Sequence, residues 1–143
     1  MQNAARLYGL TDIKAKTEEQ TPEQIVIALY EKACSVLYRA TMLPMDKLEE
    51  LQLTERLATI EDFHKSVSKA IQIILTLRSI LDMEQGGEVS RQLSETYTVI
   101  ANSILRASRP PDLTEIKKLY DVLRDLLQAW RDAEGSLTST VMA

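Results

Sequence analysis

Glu61-Asp62-Phe63-His64 sets a carboxylate and an imidazole three positions apart, so on a helix they share one face, as in the Glu-x-x-His pairs of di-iron bundle proteins. A di-iron site needs two such pairs and two further carboxylates, and His64 is the only histidine in the chain. One pair per chain could complete a site only across a subunit interface. His64 is therefore read as a helix-surface or core-edge residue, and no metal or other cofactor is expected. The same shortage leaves Ser-His-Asp and Cys-His catalysis without a recognisable motif. Cys34 is the only cysteine, which rules out an internal disulfide and makes a reducing compartment the simplest home for a buried, inert thiol. Gly86-Gly87 lacks the Gly-x-x-x-x-Gly-Lys-[Ser/Thr] pattern of a phosphate loop and follows a helical pattern rather than a strand. No catalytic residue and no enzyme activity are expected.

What remains is a scaffold. The chain has 143 residues, 45% hydrophobic and 27% charged, enough for one packed domain that removes roughly 70% of its unfolded surface from water. A net charge of -4 with scattered cations argues against nucleic-acid binding, and Lys117-Lys118 is read as a solvated helix face. No stretch is apolar enough for a membrane span and the N-terminus has no signal-like core, so the protein reads as cytoplasmic.

All four glycines and all four prolines lie between or at the ends of periodic segments. Thr21, Pro22 and Gln24 form a capping box that starts helix one near Pro22, and Pro44 stops it by about Leu43. Residues 44–54 are read either as a short helix or as the beginning of helix two, whose secure part runs from about Glu55 to Met83. Helix three is expected from about Glu88 to Ala107, ended by Pro110-Pro111. Asp112 and Glu115 suggest a second capping box before helix four, which Gly135 should end. No strand alternation competes. The expected fold is an all-α antiparallel four-helix bundle with room for a short extra helix: a flexible N-terminal segment over 1–20, a bundle over 21–134, and a flexible tail over 135–143.

The hydrophobic pattern exceeds what one buried face requires. Between Ala70 and Leu81 apolar residues cover about 220° of the helical wheel. Either helix two is central and packs on several neighbours, or part of this arc awaits a partner helix. Helix four carries Val122, Leu126 and Ala129 as a second stripe beside Ile116, Leu119, Leu123, Leu127 and Trp130. That stripe suits a groove, a self-association surface, or a site covered by a short helix from 44–54.

Four stretches resemble one family in order. They are Thr21-Pro22 with Ile25, Leu29, Tyr30 and Ala33; Leu81-Asp82 with Gly86-Gly87-Glu88; Leu93 and Tyr97 with Leu105 and Ala107; and Asp112, Glu115, Ile116, Leu119 and Leu123 running to Ala129-Trp130. Together they are similar to the FliS family of flagellin-specific export chaperones. Thr96 stands where the family usually has Leu, Val99 replaces an aromatic, and Lys32, Ser108 and Leu127 also depart from its pattern.

The resemblance implies a cytoplasmic export chaperone that binds the C-terminal segment of flagellin, prevents early polymerisation and delivers it to the flagellar export apparatus. A disordered apolar segment laid into hydrophobic grooves would be hidden, and ordering it would cost about 2 to 5 kcal/mol of the gross contact energy. In the family the resemblance points to, the segment before helix one can cover part of the binding surface, which implies a displaceable lid over 1–20. Partner-binding candidates are Tyr8 from that segment, Leu29, Tyr30 and Ala33 from helix one, and Ile71, Ile74 and Leu75 from the apolar arc. Leu93 and Tyr97 after the glycine joint, and Trp130 near the end, complete them. Each tyrosine can serve equally as an ordinary core residue with a satisfied hydroxyl. The alternative is a regulatory or assembly bundle that binds a non-flagellin partner or forms a homodimer.

Overall fold

The computed structural model describes residues 21–142, with side chains as far as Glu134. Helix α1, Pro22–Met42, begins as its sequence predicts. The Thr21 hydroxyl accepts from the Gln24 amide at 3.2 Å while the Thr21 amide donates to Gln24 Oε1 at 3.0 Å. It ends at Leu43, extended at ψ 141°, because Pro44 disfavours helical backbone in the residue before it. The ambiguous stretch that follows becomes a 3-10 turn, Leu48–Glu50, clamped by the Arg56 guanidinium, which donates to the Leu48 and Leu51 carbonyls at 3.0 and 3.2 Å. The other helices are α2, Leu53–Ser79; α3, Gly87–Ala107; and α4, Leu113–Met142.

Three boundaries differ from the sequence expectation. Helix α2 stops at Ser79 rather than near Met83, because Asp82 organises a separate turn: its Oδ1 accepts from the Glu84 and Gln85 amides at 3.0 and 2.9 Å. The Gly86 amide then donates to the Asp82 carbonyl at 2.9 Å. The two glycines play different parts in this turn. A Cβ on Gly86 would lie 1.6 Å from the Ser90 hydroxyl oxygen, whereas Gly87 has open space but a φ of +57°, which L side chains rarely adopt.

At α4 only half of the expected capping box forms. Asp112 Oδ1 accepts from the Glu115 amide at 3.1 Å, but the Asp112 amide donates to the Ala107 carbonyl at 2.7 Å instead of to Glu115. The helix also continues through Gly135 to Met142. A glycine inside a helix costs about 1 kcal/mol relative to alanine, which alone need not end a helix.

Helix α1 packs extensively on α2 and α4, and α2 packs on α3, while α3 and α4 meet more sparingly. The α1–α4 pairing is antiparallel: Tyr30 lies beside Trp130, Glu31 bridges Arg131 at 3.2 Å, and Tyr38 lies beside Tyr120. Arg39 binds Asp62 across α1 and α2 through two hydrogen bonds, and Arg78 donates to the Thr98 hydroxyl across α2 and α3 at 3.2 Å. The large apolar arc of α2 is mostly consumed by having two neighbours. Ile73, Ile74 and Leu77 are buried, Ile71 and Ile80 half-buried, and Leu75 is the large apolar residue of the arc left exposed. The expected all-α antiparallel four-helix bundle is the observed fold.

Candidate docking groove

The Glu61–His64 pair does not converge on anything that would bind a metal. Glu61 is 2.8 Å from Lys65, and half-buried His64 packs edge-on against the Phe63 ring. Among the described residues no group of three or more His, Cys, Asp or Glu could hold a metal ion. Cys34 is buried in α1, and burial pushes its thiol up to about 11 against the opposing fields of Arg131 and Arg124, which disfavours the reactive thiolate. No helix among the described residues is long and apolar enough to cross a membrane.

The structure separates the sequence-predicted partner residues into layers. Tyr30, Ala33, Ile74, Tyr97 and Trp130 lie in the core and present almost no surface. Tyr30 and Tyr97 share a 2.6 Å hydrogen bond between hydroxyls, and the Trp130 ring lies 6.4 Å from that of Tyr30, so one cluster ties α1, α3 and α4 together. Burial, reinforced by Tyr97, raises the Tyr30 pKa far beyond its ordinary value, and the phenol stays protonated. Leu29, Ile71 and Leu93 are half-buried against this core, and Leu75 is exposed on α2. Tyr8 and the segment 1–20 lie outside the described residues, as do the side chains of 135–143.

Among the described residues, an uncovered apolar surface with groove geometry runs between α3 and α4, which meet more sparingly than α1 with α2 or α4. Residues Gln92, Glu95, Thr96, Val99, Ile100 and Ser103 from α3, with Leu119 and Val122 from α4, line a hollow of about 650 Å³. Its recurring steps of three and four mark one strip on each helix. Ile100 and Leu119 are nearly buried, while Val99 and Val122 stand above them, 62% and 44% exposed. Ser103 also lines a second hollow of about 670 Å³ at the Pro110-Pro111 corner, with Met45, Asp46, Arg106, Asp112 and Glu115 among its walls. The two share Ser103 as a lining residue, and we refer to them together as the channel. Its apolar hollow runs along α3 from Gln92 to Ser103, about 16 Å at helical rise, the length of roughly three turns of a partner helix.

The sequence contained part of this signal. Val122 belongs to the second stripe of α4, and that stripe stays uncovered: Ala129 is exposed, Leu126 half-buried, and the 3-10 turn packs on α2 rather than over the stripe. On α3, Thr96 and Val99 stand out in the sequence only as departures from the family pattern; with Glu95 they have no apolar periodicity of their own and become a wall only with α4 opposite.

Over residues 4–136 the chain matches the family model described as Flagellar protein FliS. It is 28% identical over 127 residues to a flagellar secretion chaperone FliS of Salmonella typhimurium, covering 88% of this chain and 86% of that protein. A protein of the same description from Campylobacter jejuni is 27% identical over 119 residues, 83% of this chain and 84% of its own length. One from Vibrio cholerae is 33% identical over 64 residues, 45% of this chain and 47% of its own.

Proposed function

The chain belongs to the FliS family, and we propose that it acts as a flagellar secretion chaperone that takes the C-terminal segment of flagellin into the α3–α4 channel. The family is one of chaperones rather than enzymes. The observation that carries the reading is the open seam itself: exposed Val99 and Val122 flank Ile100 and Leu119 in a groove of helix-accepting length. An apolar client helix laid there would gain about 25 cal/mol for each Å² of apolar surface removed from water. Thr96 and Val99, two positions that depart from the family pattern, both line this hollow.

Holding the segment in the channel keeps its apolar face from pairing with other subunits in the cytoplasm until the export apparatus receives it. Tyr30, Tyr97 and Trp130 act from beneath, keeping α3 and α4 in place on α1. Titration of the chain with a flagellin C-terminal peptide, followed by circular dichroism, tests the reading. A stoichiometric gain of helix that is lost in the Val99→Asn/Val122→Asn double variant supports it. No binding, or binding unaffected by the double variant, contradicts it, and dimerisation abolished by the same variant would instead make the seam a self-association surface.

A further inference from the structure

We infer that the channel selects its client by charge as well as by apolar fit, and that its occupant is an amphipathic helix with lysine or arginine on its flank. The inference rests on the reading that the client docks between α3 and α4. Among the described residues the channel carries four carboxylates, Glu95, Asp46, Asp112 and Glu115, against one guanidinium, Arg106.

The bonds these groups already make decide which of them remain for a partner. Asp112 caps α4 by accepting from the Glu115 amide and Glu115 lies 4.0 Å from the Lys118 ammonium, while Arg106 donates to the neutral Ser103 hydroxyl at 3.3 Å and keeps its charge. Glu95 and Asp46 make no ion pair or hydrogen bond of the side chain with another described residue, and both are exposed. Glu95 is the charged member of the apolar hollow, and Asp46 and Arg106 both line the second hollow. From the level of Glu95 to that of Arg106 is about 16 Å along α3, so the two ends of a three-turn helix meet different charges, a lone carboxylate at Glu95 and a guanidinium at Arg106, and the client's cation belongs at the Glu95 end.

An uncharged or anionic flank would leave these carboxylates without a partner or repel them. A cationic flank gains steering and fixes the direction in which the client lies. Glu95 is thus a specificity-determining residue for the client rather than part of the packing.

The test uses three amphipathic helical peptides of roughly 16 residues that share one apolar face and carry lysine, glutamine or glutamate on the flank, titrated against the full chain by fluorescence anisotropy. The lysine peptide is expected to bind about tenfold more tightly than the glutamate peptide at low salt, with the gap narrowing at high salt. Glu95→Gln should shrink the preference and Glu95→Lys should reverse it at that end. Equal affinity for all three peptides, failure of the lysine peptide to bind, or a preference unchanged by Glu95→Lys overturns the inference. If the flagellin peptide still loses affinity in Val99→Asn/Val122→Asn, the docking reading survives that failure. If the flagellin peptide ignores the double variant, both readings fall together.

Discussion

Helix α4 has two seams, and they are built differently. Toward α1 it is closed by rings and charges: Trp130 against Tyr30, Tyr120 against Tyr38 at 5.3 Å, and Arg131 against Glu31. Toward α3 it presents Leu119 and Val122 across a hollow of about 650 Å³ to Val99 and Ile100. The closed seam spends its large side chains on holding the bundle together, and the open seam leaves Val99 and Val122 exposed above buried Ile100 and Leu119. The same helix can therefore lose stability when changed on one side and lose binding when changed on the other.

The largest expected effect tests the closed seam. Trp130→Ala removes a buried indole from the three-helix cluster and should cost about 3 to 5 kcal/mol in urea denaturation. A loss below about 1 kcal/mol would mean that α4 is held by something other than this seam. On the open seam, Val99→Asn/Val122→Asn should change folding stability by only about 0.5 to 1 kcal/mol but weaken the flagellin peptide by about 2 kcal/mol, roughly thirtyfold, in calorimetric titration. If the order of these effects reverses, the division between the two seams is wrong.

Smaller changes sharpen the contrast. Gly87→Ala must hold an alanine at φ +57° and should cost about 1 to 2 kcal/mol, with the orientation of α3 and so the width of the open seam at stake. Client affinity should fall with it. Tyr97→Phe deletes one hydroxyl from the 2.6 Å pair and should cost about 1 kcal/mol, with Tyr30→Phe/Tyr97→Phe costing less than the two single changes added.

The smallest effect belongs to Arg39 and Asp62, on the α1–α2 side. The Arg39 hydrogen bond holds the Asp62 carboxyl below the usual carboxylate range. A folded-state pKa below the unfolded one contributes stability above the unfolded value and loses it as pH falls through the folded value. The difference between the protein and Arg39→Met should therefore be present at neutral pH, shrink with salt, and vanish in acid, as read by thermal melts across that range. A difference that grew on acidification would refute the pairing.

Much of the bundle was legible because its signals are local. Thr21-Pro22-Glu23-Gln24 contains the whole capping box, and Pro44 acts on the residue beside it. The end of α2 was less legible, since Ile80-Leu81-Asp82-Met83 continues the helical pattern while the Asp82 carboxylate accepts from the Glu84 and Gln85 amides. The candidate site divides in the same way. Tyr30, Tyr97 and Trp130 could be identified as important from their motifs, but whether a motif aromatic lines a groove or supports it from below depends on three helices at once. Val99 stood out only as a departure from the family pattern and Glu95 not at all, because a wall exists only between two elements and periodicity describes one.

Methyl-resolved NMR of the chain during titration with the flagellin C-terminal segment tests the central claim most directly. The Val99, Ile100, Leu119 and Val122 methyls should shift together and saturate at one equivalent, while Val26 and Leu37 on α1 stay near their free positions. Shifts concentrated along α1, with the α3–α4 methyls unmoved at saturation, would contradict it.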